Sequence, residues 1–434
     1  MDTKAGFVGE MGAGGGWYCY PTRQFKTLSV QAFWTNPLKP GEASRAAILP
    51  HILRRACQKW ASTVAIEREL EDLYGASLRA EVGKIGDQQL LSFQFDAVHG
   101  QFLPDHPDML ELGMGLLREI LYRPLIVQGS FDPTIFEQEK EMLDRQIQAL
   151  INDKGQYAMH RLVANMAGDQ GFGLSRLGTL EETRALDVKG LFDHFQMIRD
   201  HNPMLWFVVG DVDPDQVARV FEADPAMQVA RRPLPSIPRF VSQAQGRVVV
   251  ERQPIQQGKV NLGYSTEVTM RDEDYPALVM YAGILGGFPH SKLFVHVREE
   301  ASLAYYAYAR LDGVLGLMVI GAGIEFEDYE AAVEIIHQQV ERMRQGEVTD
   351  EEMDFTLRAL INDILAESDS PGQIIGRQVE RVLSGGGRTG SSLIEALKAV
   401  RREDVVRVAQ RVNLDTTYFL TRDAAKDPVQ EGRA

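Results

Sequence analysis

Two side chains that donate hydrogen bonds, Arg298 and Tyr305, stand seven residues apart in the stretch LFVHVREEASLAYYAY, residues 293–308. The pattern predicts a helix over 293–300 and a strand that begins at residue 303, so the guanidinium and the phenol would meet at one helix–strand corner. Both groups keep their protons at neutral pH. Together they could hold a substrate carbonyl or an oxyanion. Spacing alone leaves an alternative open, in which Arg298 is a surface residue and Tyr305 packs within a sheet.

The composition is that of a globular protein with several domains. The chain has 434 residues, with 44% hydrophobic and 25% charged residues, and this length predicts two to four domains. No apolar run approaches the ~18 residues of a membrane span, and the first 16 residues lack the pattern of a secretory signal. The net charge of −15 disfavours nucleic acid as a partner. Cys19 and Cys57 are too few for a disulfide framework and favour a reducing, cytoplasmic setting.

Apolar patterns predict two sheets. The predicted strands lie at 26–34, 90–95 and 204–209 in the first half, and at 248–252, 260–265, 315–320 and 418–420 in the second. The first of these strands alternates, which is typical of a strand buried on one face. Between the halves, residues 230–246 contain three prolines and no periodicity, a composition typical of a linker.

A short repeat relates the two halves. The pentapeptide ALIND occurs at residues 149–153 and again at 359–363, each time towards the end of a predicted helix. We therefore predict an α+β protein made of two homologous α+β halves, each a mostly antiparallel sheet flanked by helices. The predicted boundaries are a flexible tail at 1–16, a first half at 17–229, the Pro-rich linker at 230–246, a second half at 247–423 and a polar tail at 424–434.

The first predicted helix, over 44–60 with a kink at Pro50, carries His51, Arg54 and Arg55. This layout resembles the pitrilysin/insulinase-type metallopeptidases, or inverzincins, whose zinc motif H-x-x-E-H lies on the first helix of the first half. His51 matches the first histidine of that motif, but Arg54 stands in place of the glutamate and Arg55 in place of the second histidine. An imidazole beside two guanidinium groups cannot retain a dication, because each arginine adds positive charge and supplies no lone pair.

The family's third zinc ligand is a glutamate on a later helix, at the second of two acidic positions. In this chain Glu139 matches the first position, and the neutral Gln146 falls on the second. A shift in the helix register would align Glu137 or Glu141 instead, without restoring the site. The sequence therefore predicts no metal and no cofactor in this chain, and it predicts that His51 is a partly buried helix residue.

The second half retains the other motif of the same family. There, an arginine and a tyrosine hold the substrate backbone beside the scissile carbonyl, and Arg298 and Tyr305 match these two positions. The resemblance extends over residues 17–422, nearly the whole chain. It implies that Arg298 and Tyr305 are the catalytic residues of this chain.

The combination resembles the zinc-free subunit of a bacterial two-chain peptidase. It implies a homologous, zinc-bearing partner subunit and a peptide substrate that is short and unfolded, with leader peptides of ribosomal peptide natural products as one class. A homodimer is a further expectation when that partner is absent. Two alternatives stay open: a non-catalytic scaffold or peptide-binding subunit of a larger complex, and a self-sufficient zinc peptidase.

Overall fold

The computed structural model describes residues 6–12, 14–224, 229–242 and 246–423. In chain order the strands are β1 (Val8–Gly12), β2 (Gly15–Pro21), β3 (Thr27–Pro37), β4 (Ser77–Ile85), β5 (Gln88–Val98), β6 (Met204–Gly210), β7 (Arg247–Arg252), β8 (Gly258–Ser265), β9 (Ala304–Asp312), β10 (Leu317–Ile324) and β11 (Asn413–Thr421). The α-helices are α1 (Ala43–Ala47), α2 (Leu49–Arg55), α3 (Thr63–Asp72), α4 (Met109–Tyr122), α5 (Pro133–Asn152), α6 (Lys154–Ala167), α7 (Leu180–Arg184), α8 (Val188–His201), α9 (Pro214–Glu222), α10 (Tyr275–Ala282), α11 (Tyr329–Arg344), α12 (Asp350–Glu367), α13 (Pro371–Ser384), α14 (Gly390–Lys398) and α15 (Arg402–Ala409). Two π-helical turns lie at Gly283–Gly287 and Phe294–Glu300. Within the described ranges, no helix is both long and apolar enough to cross a membrane.

The chain forms two compact units, each with one sheet. Unit 1 contains the described residues up to Ala149, Gln170–Ile237 and Glu367–Leu383, and unit 2 contains Leu150–Asp169, Pro238–Ala366 and the described residues from Ser384 onward. The strand order is β1-β2-β6-β3-β5-β4 in unit 1 and β7-β11-β8-β10-β9 in unit 2. Apart from β1, the two orders are the same: the strand that opens each half pairs in parallel with the strand that closes it, and the other pairs are antiparallel. The predicted α+β class, with two mostly antiparallel sheets flanked by helices, is confirmed.

Strand β3 is central to the core of unit 1. It lies between β6 and β5, and side chains on both of its faces are buried, including Val30, Phe33 and Trp34. The sequence predicted burial on one face. The prediction was wrong because polar residues of β3 are also buried inside the unit, and some of them form hydrogen bonds there. Asn36, for example, donates from Nδ2 to Oε1 of Gln89 at 3.0 Å.

The two faces of the sheet in unit 2 pack against different helices. From β10, Met318, Ile320 and Ala322 join an apolar cluster that also contains residues of α10, α11, α14 and α15. Helix α6 lies close to β8, since a Cβ on Gly263 would come within 2.1 Å of Sδ of Met166. Glycine at this position of β8 therefore lets α6 approach the sheet.

Local predictions failed near the N-terminus of the chain. The predicted tail at 1–16 contains a strand, because Val8–Gly12 pairs antiparallel with β2; residues 1–5 and 13 lie outside the described residues. The predicted helix over 44–60 instead breaks at Ile48 and ends at Arg55. Pro50 explains the break, because it has no N–H to bond to a carbonyl of the preceding turn.

The units also differ from the contiguous halves that the sequence predicted. Residues 150–169 belong to unit 2, since α6 contacts β8 and β11, and residues 367–383 belong to unit 1. Within the predicted linker, residues 230–242 form neither helix nor strand, yet Ile237 and Phe240 are buried. Residues 243–245 and the predicted polar tail at 424–434 lie outside the described residues. Hydrophobic periodicity cannot reveal which unit a helix joins, because it indicates which face of the helix is buried and not what covers that face.

Helix α8 carries a half-buried titratable group, His194. Its Nε2 is buried and has no hydrogen-bond partner among the described residues. Burial, aided by the charge of Arg45 and opposed by Glu42, lowers the pKa of His194 to about 4 from an ordinary value of 6.5. Between these two values the unfolded chain binds a proton that the folded chain does not. The stability that this group contributes is therefore lost as the pH falls from 6.5 towards 4.

We expect His194→Gln to reduce the acid-induced loss in the free energy of unfolding by about 1–3 kcal/mol. Urea unfolding near neutral pH and again at about pH 4.5 measures this difference. His201→Gln, at the exposed end of the same helix, is the matched control and should behave as the wild type does. If acid lowers the free energy of unfolding equally in His194→Gln and in the wild type, then His194 is not held neutral in the folded chain.

Candidate functional site

The predicted helix–strand corner exists, and its backbone is irregular. Ala301 donates its N–H to the carbonyl of His296 at 3.3 Å, the five-residue step of a π-helix. Ser302 then adopts the left-handed conformation with φ of +53°, and the N–H of Leu303 bonds to the carbonyl of Val297 at 3.1 Å. A non-glycine residue in this conformation is costly, so the surrounding structure must hold it there.

A β-bulge follows directly, at Tyr305. In the ladder between β9 and β10, Tyr306 pairs with Gly323 and Ala304 pairs with Ile324, so that Tyr305 has no opposite residue. Bulges of this kind re-aim a side chain and are common beside active sites.

The bulge decides which way Tyr305 points. Further along β9, Ala307 and Ala309 belong to the apolar core, and strict alternation would turn residue 305 to the same side. Because of the extra residue, Ala304 takes the core position instead. Tyr305 is 63% exposed as a result.

The hydroxyl of Tyr305 donates a hydrogen bond to Oε1 of Glu325 at 2.9 Å. This bond and the negative charge of Glu325 raise the pKa of Tyr305. The phenol therefore keeps its proton at neutral pH and remains a donor.

Arg298 lies on the π-helical turn and is also exposed. Its guanidinium carbon is 4.6 Å from the centroid of the Phe294 ring, a cation–π contact that supports the side chain without neutralising its charge. Among the described residues no carboxylate forms an ion pair with Arg298, and no hydrogen bond joins it to Tyr305 in that part of the chain. The structure thus places both predicted residues at one helix–strand corner, and both side chains are exposed there.

On the helix that matches the position of the family's zinc motif, both arginines form ion pairs with glutamates. On α2, Arg54 donates from Nε to the carbonyl of Leu78 at 2.9 Å and pairs with Glu67 at 2.7 Å. Arg55 pairs with Glu139 at 2.5 Å, and this glutamate side chain is only 11% exposed. Arg55 therefore holds the carboxylate that matches the family's first acidic position on the later helix.

The residues around His51 do not fit a zinc ion. Burial lowers the pKa of His51, while Glu139 and Glu81 raise it and Arg54 lowers it further. Gln146 offers an uncharged amide where the family has its third ligand. Across the described ranges, no group of three or more His, Cys, Asp or Glu side chains could hold a metal ion.

Comparison with known proteins agrees with this arrangement. The family model for the peptidase M16 inactive domain matches residues 191–360, a stretch that contains Arg298 and Tyr305. YmfF, a probable inactive metalloprotease of Bacillus subtilis, is 32% identical over 408 residues, which cover 92% of this chain and 94% of the relative. This chain belongs to the M16 metallopeptidase family. It is a non-zinc member of the pitrilysin/insulinase-type peptidases that the sequence resembles.

Two further relatives of this M16 chain cover nearly its whole length. The crystal structure of a conserved protein from Enterococcus faecalis V583 is 26% identical with a TM-score of 0.88, and the match covers 98% of this chain and 100% of the other. AlbE, an antilisterial bacteriocin subtilosin biosynthesis protein of Bacillus subtilis, is 21% identical over 399 residues, which cover 90% of this chain and 96% of the relative. The match to the inactive M16 domain indicates that this chain is inactive alone and carries no catalytic zinc.

Sequence reasoning missed the immediate partners of the site. Glu325 lies twenty residues beyond Tyr305, and only the pairing of β9 with β10 brings the two together. The ion pair between Arg55 and Glu139 joins residues 84 positions apart. The sequence did contain a signal for the ion pair, because Arg55 replaces a zinc ligand of the family while the acidic residue Glu139 is retained. The sequence pattern contains no visible signal for the contact between Tyr305 and Glu325.

We expect Arg55→Ala to lower the free energy of unfolding by about 1–3 kcal/mol, because Glu139 would be left largely buried without its partner. The matched control is Arg145→Ala. It removes an arginine that also pairs at 2.5 Å with a glutamate of α5, Glu141, but both side chains are 66% exposed. Its effect should stay below about 0.5 kcal/mol. Equal losses in the two variants, measured by urea unfolding, would contradict a special role for Arg55.

Proposed function

We propose that this chain is the zinc-free subunit of a two-chain M16 peptidase that cleaves short unfolded peptides. The observation that carries the proposal is the bulge at Tyr305, which exposes a protonated phenol beside an arginine that has no carboxylate partner in the described chain. A subunit without a catalytic role would not need this irregular corner. The zinc half of the site would come from a homologous partner with an intact H-x-x-E-H motif, since M16 family members often work as paired subunits.

The role of this chain is to hold the substrate backbone. In the complete site, the H-x-x-E-H motif of the partner would hold zinc, which would supply an activated water for hydrolysis. Tyr305 donates a hydrogen bond from its hydroxyl to the carbonyl oxygen or to the adjacent backbone, and the exposed guanidinium of Arg298 supplies a second donor. The peptide oxygen takes the place of Glu325 as acceptor for Tyr305. These donors act when negative charge develops on the oxygen, so they lower the barrier more than they tighten binding.

The proposal also covers the class of substrate and the cellular compartment. The similarity to AlbE favours leader peptides of ribosomal peptide natural products as one substrate class. Cys19 and Cys57 are both buried and unpaired, a state that suits the reducing cytoplasm. Without its partner, the chain is expected to form a homodimer.

A second candidate function is a non-catalytic scaffold or peptide-binding subunit. The description of YmfF as an inactive metalloprotease favours it, because that name assigns the relative no catalytic role. The two functions differ in whether a mixture of this chain with a zinc-bearing subunit hydrolyses peptides.

We expect hydrolysis of an unfolded peptide only when this chain is mixed with a homologous H-x-x-E-H subunit, such as one encoded beside it. Each chain alone is the control, and metal analysis of the purified pair should find one zinc per pair. A mixture that assembles but has no more activity than the zinc subunit alone would favour the scaffold. Hydrolysis by this chain alone, or a zinc ion bound beside His51, would contradict both functions.

We expect Tyr305→Phe to lower turnover by the assembled pair about 10²–10³-fold, because one donor to the developing oxyanion is lost. Assembly, measured by size-exclusion chromatography, should not change, since Tyr305 is exposed and its hydroxyl contacts only Glu325 among the described residues. Tyr74→Phe is the matched control: it removes another exposed hydroxyl, one that bonds to the carbonyl of Pro104 at 3.4 Å. Unchanged turnover in Tyr305→Phe would remove Tyr305 from the catalytic site.

A further inference from the structure

A groove crosses the face of the sheet in unit 2 beside the first turn of α6. Its volume is about 490 Å³, and all of its lining residues belong to unit 2. The floor comes from β8 and β9, through Lys259, Tyr306, Tyr308 and Arg310. This is the face opposite to Ala307 and Ala309, so the groove is separate from the apolar core. Arg298 and Tyr305 do not line it.

Two glycines of β10 shape the floor of the groove. Tyr306 pairs with Gly323, and Tyr308 pairs with Gly321. A Cβ on either glycine would come within 2.6 Å of the tyrosine ring opposite. The rings can therefore lie across β10, where they stack on each other with centroids 5.9 Å apart and planes inclined by 19°.

A cation stands at each end of the stacked tyrosines. Lys259 Nζ lies 5.3 Å from the centroid of the Tyr306 ring, and the guanidinium carbon of Arg310 lies 4.7 Å from that of Tyr308. Lys259 is level with Tyr306 in the sheet, because both pair with Gly323. Arg310 is four residues further along β9, a distance of about 13 Å.

The residues that line the groove carry more positive than negative charge. Among the described residues no carboxylate forms an ion pair with Arg310 or with Lys259, whose Nζ donates to Gln257 instead. Asp153 is the one acidic residue in the lining, and its Oδ1 accepts the N–H groups of Gly155 and Gln156 at the start of α6. Two cations thus face one carboxylate that is already bonded, within a chain whose net charge is −15.

Burial supports the same conclusion. It lowers the pKa of Lys259, although Asp153 acts in the opposite direction, so the ammonium is poorly solvated where it stands. It raises the pKa of Tyr306 to about 12, so that this phenol is a donor at neutral pH. A bound carboxylate would receive hydrogen bonds from both kinds of group.

We propose that this groove binds an extended peptide segment through two acidic side chains about four positions apart, one held by Lys259 and the other by Arg310. In an extended chain, residues four positions apart point to the same side and are about 13 Å apart, which equals the rise along the strands between the levels of Lys259 and Arg310. The residues between them lie over the faces of Tyr306 and Tyr308. The inference deepens the proposed function because it names the chemistry of the peptide, but its test needs neither a partner subunit nor turnover.

Fluorescence anisotropy of the purified chain tests the proposal with a labelled peptide that has two glutamates four positions apart in a Gly, Thr and Val background. We expect the wild type to bind it about tenfold more tightly than the analogue with two glutamines, and the difference to shrink as salt is added. Lys259→Met with Arg310→Met should abolish this preference, since methionine keeps an apolar stem over the rings and removes the charge. Arg310→Met alone, at an exposed position, should remove part of the preference even if the double variant fails to fold.

Lys398→Met with Arg358→Met is the matched control. It makes the same change of charge in unit 2 at two exposed cations, which pair with Glu395 and Asp354. The control should retain the preference. Equal affinity of the wild type for the two peptides, an unchanged preference in Arg310→Met, or the same loss in the control pair would overturn the proposal. Failure here would leave the expected effect of Tyr305→Phe on turnover intact, so the two ideas are tested separately.

Discussion

The register between β9 and β10 is the constraint on which the second unit depends. Side chains alternate along a strand, so the regular pairing of residues 306–312 with β10 assigns each of these residues to a face. It sends Ala307 and Ala309 into the core, and it lays Tyr306 and Tyr308 over glycines on the other side. The register shift between Gly323 and Ile324 leaves Tyr305 outside this alternation, so that its side chain projects into solvent. The cationic groove depends on the regular part of this pairing, and the candidate catalytic corner depends on its irregular end.

Helix α2 shows how a metal site can be lost without loss of the fold. A zinc ion in such a site neutralises the carboxylates around it, and a chain that gives up the ion must supply positive charge by other means. Arg55 does this by pairing with Glu139, while Arg54 bonds to a backbone carbonyl and to Glu67. The cations thus take over the electrostatic role of the metal, and its chemistry is absent from this helix. In the function proposed above, the donors at Arg298 and Tyr305 act beside a metal that another chain holds.

The sequence predicted features that depend on residues close together in the chain, and it missed features that depend on residues far apart. Strands such as β6 and β11 were predictable because burial leaves a local pattern of apolar residues, and the matched order of elements revealed the repeated half. Arg298 and Tyr305 were predicted as site residues from their spacing within one segment together with the resemblance to the family's second motif. Glu325, the bulge and the left-handed Ser302 were not, because each depends on a pairing or turn that apolar periodicity does not encode. The membership of 150–169 and 367–383 in the units was missed for the same reason.

The composition of unit 1 affects how the protein can be made. Its residues 367–383 bring Ile375, Val379 and Leu383, all buried, from a part of the chain that leaves the ribosome after β7 to β10. The first unit therefore cannot finish folding when its own sheet has emerged. Until those residues arrive, the apolar surface that they cover stays open to water, and such surface is prone to aggregate during synthesis. The nascent chain is consequently most exposed to aggregation, and most in need of a chaperone, over the interval in which the second unit is being translated.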